Sequence, residues 1–173
     1  MFKRSSYWAR GAMAVALLAV GAATGVVISS AQGQQAGEKA MEKVTGIGGV
    51  FFKSADPKAT MAWYRKHLGI DPFKMDGQDA DFALFQWKEL DRPDAVANTV
   101  WSPFTQDTAY FSPSATEFMV NYRVRNLDAM LAQLRAAGVK VVGEPTTEFN
   151  GRFGWFIDLD GRKVELWEPA AGF

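Results

Sequence analysis

The chain is built twice, and the duplication limits what it can fold into. From Phe118 to Pro169 it repeats, in outline, the stretch from Gly49 to Pro103. Each half opens on an apolar strand, residues 50–53 and 118–123, and continues into a helix announced by a capping residue, Asp56 before Pro57 and Asn126 before Leu127. Ala59, Ala62 and Arg65 recur as Ala129, Ala132 and Arg135. Each half ends on a matching strand, with Trp101 and Pro103 answering Trp167 and Pro169. A strand–helix–strand–strand–strand unit made twice predicts two curved half-sheets and a cleft lined by corresponding positions of both.

Local signals place the elements. In the first half a strand is expected over residues 46–53. Pro57 has a φ suited to the first helical turn, and Gly69 is the residue expected to end that helix. Residues 70–75 and 82–88 read as strands, with Asp76-Gly77 turning within this stretch, and residues 98–102 as the fourth strand. Residues 105–116 read as a linker. In the second half Leu127, Met130, Leu131 and Leu134 form an apolar helical stripe that Gly138 closes. Strands follow over 139–142, 151–158 and 163–167, with hairpin turns at Asn150-Gly151 and Asp160-Gly161. Asp158-Leu159-Asp160-Gly161 lacks the remaining ligands of a calcium loop and reads as a hairpin.

Strand alternation sorts the faces. Val164 and Leu166 belong under a helix, which turns Lys163, Glu165 and Trp167 toward the cleft. In the fifth strand Phe118, Val120, Tyr122 and Val124 form the packed side, so Met119, Asn121 and Arg123 share the cleft with Glu165. The repeat then assigns Gly49, Phe51, Lys53, Thr99 and Trp101 from the first half. The expected ligand-binding set is Phe51, Thr99, Trp101, Met119, Asn121, Arg123 and Trp167, with Glu165 as the candidate catalytic group. An aromatic pocket with a few placed polar groups is the form of a small-molecule site. The same residues also admit a structural reading, in which Arg123 pairs with Glu165 across neighbouring strands and the tryptophans fill a core.

Composition removes other classes. The formal charge is zero with no block of five or six like charges, which argues against nucleic acid as a partner. The absence of cysteine excludes a thiol nucleophile, a disulfide framework and any cysteine-held metal. At the N-terminus Lys3, Arg4 and Arg10 precede an uncharged, apolar stretch over residues 11–31. This is the pattern of a signal peptide or signal anchor over residues 1–31, followed by a linker over 32–44, and it predicts an exported, periplasmic or otherwise extracytoplasmic domain. Membrane contact is expected only through that segment.

The duplicated unit, Asp56-Pro57 with the run from Trp63 to Gly69, and the run from Phe156 to Pro169 resemble the vicinal oxygen chelate superfamily. That group includes glyoxalase I, bleomycin-resistance proteins and extradiol dioxygenases. The resemblance spans residues 45–170 and implies an α+β fold of two paired βαβββ modules, 45–104 and 117–170, forming a mixed sheet around a cleft. It also implies a divalent metal held by four strands. Carried over one by one, those positions fall near Gly49, Thr99 and Met119, and on Glu165. Only Glu165 is a donor of the required kind, and the single histidine, His67, is expected on the solvent side of the first helix. The resulting expectation is a domain without metal or cofactor that binds a small apolar or aromatic molecule, with Arg123 or Lys53 meeting any anionic group. The alternative is a lyase, isomerase or dioxygenase-like enzyme that uses Glu165 as a general base or as its one retained metal ligand. A third reading is a structural domain whose aromatic face is buried in a dimer. The cleft is completed either within one chain or in a homodimer.

Overall fold

The computed structural model describes residues 40–173. The expected signal segment lies outside the described residues, and among those described no helix is long and apolar enough to cross a membrane.

In chain order the elements are β1 (Val44–Ser54), α1 (Pro57–Leu68), β2 (Lys74–Met75), β3 (Gln78–Asp79), β4 (Ala83–Glu89) and β5 (Arg92–Thr105). The second half follows as β6 (Phe118–Val124), α2 (Leu127–Ala136), β7 (Val141–Glu148), β8 (Gly151–Ile157) and β9 (Lys163–Pro169). Seven strands make one sheet in the order β4-β5-β1-β6-β9-β8-β7. Within each module the first and last strands run parallel, β1 beside β5 and β6 beside β9. The modules join through the antiparallel pair β1–β6. This is the expected α+β architecture of two helices on a mixed sheet.

The helix signals act as read. Asp56 accepts the Ala59 amide at 2.9 Å, and Asn126 accepts that of Ala129 at 2.8 Å. Gly69 takes φ 66°, a left-handed conformation that satisfies the end of α1. The closing strand also pins α2, because the Glu168 carboxylate accepts the Leu127 amide at 2.6 Å. Leu127, Met130 and Leu131 bury the α2 stripe against Val124 and Leu166. Gly154 makes the approach close: a Cβ there would meet a Leu131 methyl at 3.1 Å. Helix α1 packs more thinly. Met61 is its only buried residue, and Leu68, which helical spacing places with Met61 and Tyr64, is 60% exposed.

The modules differ at their second strand. In the second module it is β7, paired to β8 at the sheet edge. In the first, the corresponding stretch folds off the main sheet as the hairpin β2–β3 around Asp76 (φ 51°) and Gly77 (φ 78°). β5 is also longer than alternation predicts. It begins at Arg92, and this added stretch pairs with β4 and not with β1.

The unequal helix packing generates a test. Leu131→Ala should cost about 2–5 kcal/mol of stability, as buried leucine truncations do. Leu68→Ala should stay within about 0.5 kcal/mol. Urea unfolding followed by circular dichroism measures both.

Candidate functional site

The site begins with the register between β6 and β9. Asn121 stands opposite Glu165 and Arg123 opposite Trp167, all four on the face away from α2. Glu165 is 1% exposed. Its Oε2 accepts the Asn121 amide N–H at 2.7 Å, and its Oε1 accepts the Trp155 indole N–H at 2.8 Å. The Tyr110 hydroxyl donates to the same Oε1. Burial pushes the Glu165 carboxyl above its ordinary pKa, opposed by the three donors and the nearby Lys163 charge. Tyr110 is pushed up as well, first by burial and then by the Glu165 charge. The Lys163 ammonium donates to the Tyr110 carbonyl at 2.8 Å and lies over the Tyr110 and Trp155 rings; burial holds its pKa below the ordinary value.

Beside this cluster is a cavity of about 360 Å³. Phe51, Val100, Phe104, Phe153 and Trp167 form its apolar wall, and Phe73, Met75 and Phe82 close in from the β2–β3 side. Phe149 and Phe173 contribute an edge-to-face pair of rings 5.7 Å apart. The polar residues on the wall are few: Asn98, Tyr110, Asn121, Asn150 and Glu165. The Asn121 Oδ1 is buried and has no hydrogen-bond partner. It faces Gly48, the extra residue of a β-bulge in β1, where any Cβ would collide with it.

Of the sequence-predicted residues, Phe51, Asn121, Glu165 and Trp167 come together in this wall. Met119 shares their face but is 1% exposed, packed with Phe51 and Phe111 outside the lining. Arg123 does not pair with Glu165. Its guanidinium lies 4.8 Å from the Trp167 ring centroid and donates to a main-chain oxygen of Phe173 at 3.2 Å.

Thr99 and Trp101 are on the opposite face, which corrects the expectation from the repeat. Thr99 donates to the Ile47 carbonyl at 2.6 Å and accepts the Trp87 indole N–H. Trp101 packs against Phe52 and Tyr64, beneath α1. The cause is register. Phe51 and Asn121 hold equivalent places before their helix caps, and they face Ser102 and Glu165 respectively. Matching Trp101 to Trp167 by residue type sets β5 three residues out of that register, and an odd slip inverts every side chain. Asn98, Val100 and Phe104 therefore line the cavity instead.

Tyr110 escaped the sequence reading altogether. It lies between β5 and β6, where no alternation exists to assign a face; its placement comes from a stacked contact with Phe104 at 5.5 Å.

The four positions that would hold a metal in the resembled family do not fit a divalent cation. Gly48 and Gly49 offer no side chain and Met119 is packed in the core. Thr99 is turned away, and Ser102, which holds the place of Glu165 in the first module, donates its hydroxyl hydrogen to the Asp81 carbonyl. Both Glu165 oxygens already accept hydrogen bonds. Among the described residues no three His, Cys, Asp or Glu side chains converge. The Asp158 loop is a hairpin: its carboxylate accepts the amides of Asp160 and Arg162 and the Arg162 Nε–H.

Burial of Glu165 has a pH signature. A carboxyl with a raised pKa binds its proton more readily in the folded chain, so stability falls as pH rises from the ordinary value of 4.5 through the folded one. Glu165→Gln should remove that component, making the wild type lose stability relative to the variant across this window. Urea unfolding at stepped pH measures the difference, and parallel curves would contradict it.

A family model described as Glyoxalase/Bleomycin resistance protein/Dioxygenase superfamily matches residues 46–166. No curated protein matches the chain. Among solved structures, methylmalonyl-CoA epimerase of Streptomyces coelicolor, in complex with 2-nitronate-propionyl-CoA, is 22% identical. The match covers 75% of this chain and 100% of that one, at a TM-score of 0.55. The epimerase of Mycobacterium tuberculosis is 25% identical over 76% of this chain and 92% of its own, at 0.48. The Mn(II)-bound glyoxalase of Novosphingobium aromaticivorans is 22% identical over 75% of this chain and 40% of its own, at 0.47. The Streptomyces likeness supports the fold alone. Fold, paired modules and family model agree: this chain belongs to the Glyoxalase/Bleomycin resistance protein/Dioxygenase superfamily.

Proposed function

We propose that this domain binds a small apolar or aromatic molecule, without a metal ion, in the cavity beside Glu165. One observation carries the reading: an aromatic-walled cavity of about 360 Å³ has only a few polar groups, including a buried, unpaired Asn121 Oδ1. Such a site gains affinity from apolar area and orientation from a few hydrogen bonds. A ligand N–H or O–H that reaches Oδ1 would relieve an acceptor whose isolation costs about 1–3 kcal/mol. Export of the domain is proposed on the pattern of residues 1–31.

A second reading, an enzyme, is supported by the pairing of Tyr110 and Glu165. A desolvated carboxylate of raised proton affinity suits abstraction of a proton next to a carbonyl. Three donors hold this carboxylate, so the Tyr110 hydroxyl would have to turn away to free Oε1 for that role.

Titration of the protein's tryptophan fluorescence with naphthalene-type probes tests binding. A saturable change is expected, unaltered by chelator. Phe104→Ala should weaken the probe about tenfold, equivalent to about 1.4 kcal/mol. Trp101→Ala, on the helix side, should lower the unfolding temperature and leave probe affinity as it is. Absence of saturable binding would overturn the reading. Turnover of a carbonyl substrate that Glu165→Gln abolishes, with probe binding retained, would establish the enzyme instead.

A further inference from the structure

We propose that the molecule held in the aromatic cavity carries an oxyanion, a carboxylate or a phosphate, received by Arg92, Arg123 and Arg125. This rests on the binding reading above and names the chemical class of its ligand.

A second cavity, of about 460 Å³, opens where the β4–β5 hairpin meets the end of β6. The three arginines and Glu89 line it, and residues 170–173 complete one wall. The two cavities are neighbours. Phe173 belongs to the walls of both. The Arg123 stem lies against Gly48, where a Cβ would meet its Cγ at 3.0 Å, and its guanidinium covers Trp167. Gly48 and Trp167 both line the aromatic cavity. Arg123 therefore stands in the partition between an apolar site and a cationic one.

The charges in the second cavity are unevenly matched. Arg123 is 3% exposed, yet its Nε and Nη1 have no hydrogen-bond partner. Its Nη2 reaches a main-chain oxygen of Phe173 and lies 3.8 Å from Glu89. Glu89, also 3% exposed, is shared by all three arginines, with Arg92 at 2.6 Å and Arg125 at 3.2 Å. Asp91 engages Arg125 from the solvent side. Glu168 also lines the cavity, but its carboxylate accepts the Leu127 amide and faces Arg152 at 3.7 Å. Buried guanidinium N–H groups without acceptors are costly, and each is a charge-assisted donor suited to an oxygen of a carboxylate or phosphate. An acid whose apolar body occupies the aromatic cavity would bring those oxygens to the partition.

The test compares naphthoate, naphthyl phosphate and naphthalene methanol, titrated against the protein by fluorescence and calorimetry. The wild type should prefer at least one oxyanion over the neutral alcohol by about tenfold or more, and the larger preference identifies the group. Arg92→Gln with Arg125→Gln, at more exposed positions, should cut that preference below about threefold, so the test does not depend on an Arg123 variant that folds. Equal binding of all three probes by the wild type, or an undiminished preference in the double variant, would overturn the oxyanion proposal. If none of the three binds, the cavity reading itself fails.

Discussion

The antiparallel seam between β1 and β6 is the contact on which the rest of the molecule depends. It joins two modules that otherwise pair within themselves, and it sets the register from which both parallel neighbours, β5 and β9, are placed. The seam contains a bulge at Gly48, beside Gly49. A Cβ at Gly48 would strike Asn121, and one at Gly49 would meet the Phe51 ring at 2.6 Å. The missing side chains therefore make room for Phe51 and Asn121, which build the cavity. The position where the resembled family offers a ligand from its first strand has become space for an aromatic ring and an amide.

Glu165 shows how burial and hydrogen bonding divide the control of a charge. Removal from water raises its proton affinity, while Asn121, Trp155 and Tyr110 favour the anion. Its environment is thus that of a carboxylate held by donors, chemically unlike a set of acceptors around a cation. Arg123 is the opposite case, a buried cation with fewer acceptors than it can use. The two groups lie on adjacent strands of one face.

The helices and turns were legible because their causes are local. Asp56, Asn126, Gly69 and Asp76-Gly77 act within a few residues of themselves. Faces were legible wherever an apolar strand met a helix: Val164 and Leu166 went under α2, which turned Glu165 and Trp167 outward to the cavity. The failure at Thr99 and Trp101 is equally physical. Both faces of β5 are covered, by α1 on one side and the cavity aromatics on the other, so the alternation on which the reading relies is absent there.

The chain's own order of residues sufficed for the duplication, the two capped helices, the family and the outward placement of Glu165, since each follows from short-range patterning. Tertiary structure alone decided which β5 residues line the cavity, because register is a relation between strands distant in sequence. It alone brought Tyr110 from an irregular connection onto Glu165. It also separated Arg123 from Glu165, because opposite charges on neighbouring strands pair only when the register sets them face to face, and here Arg123 faces Trp167.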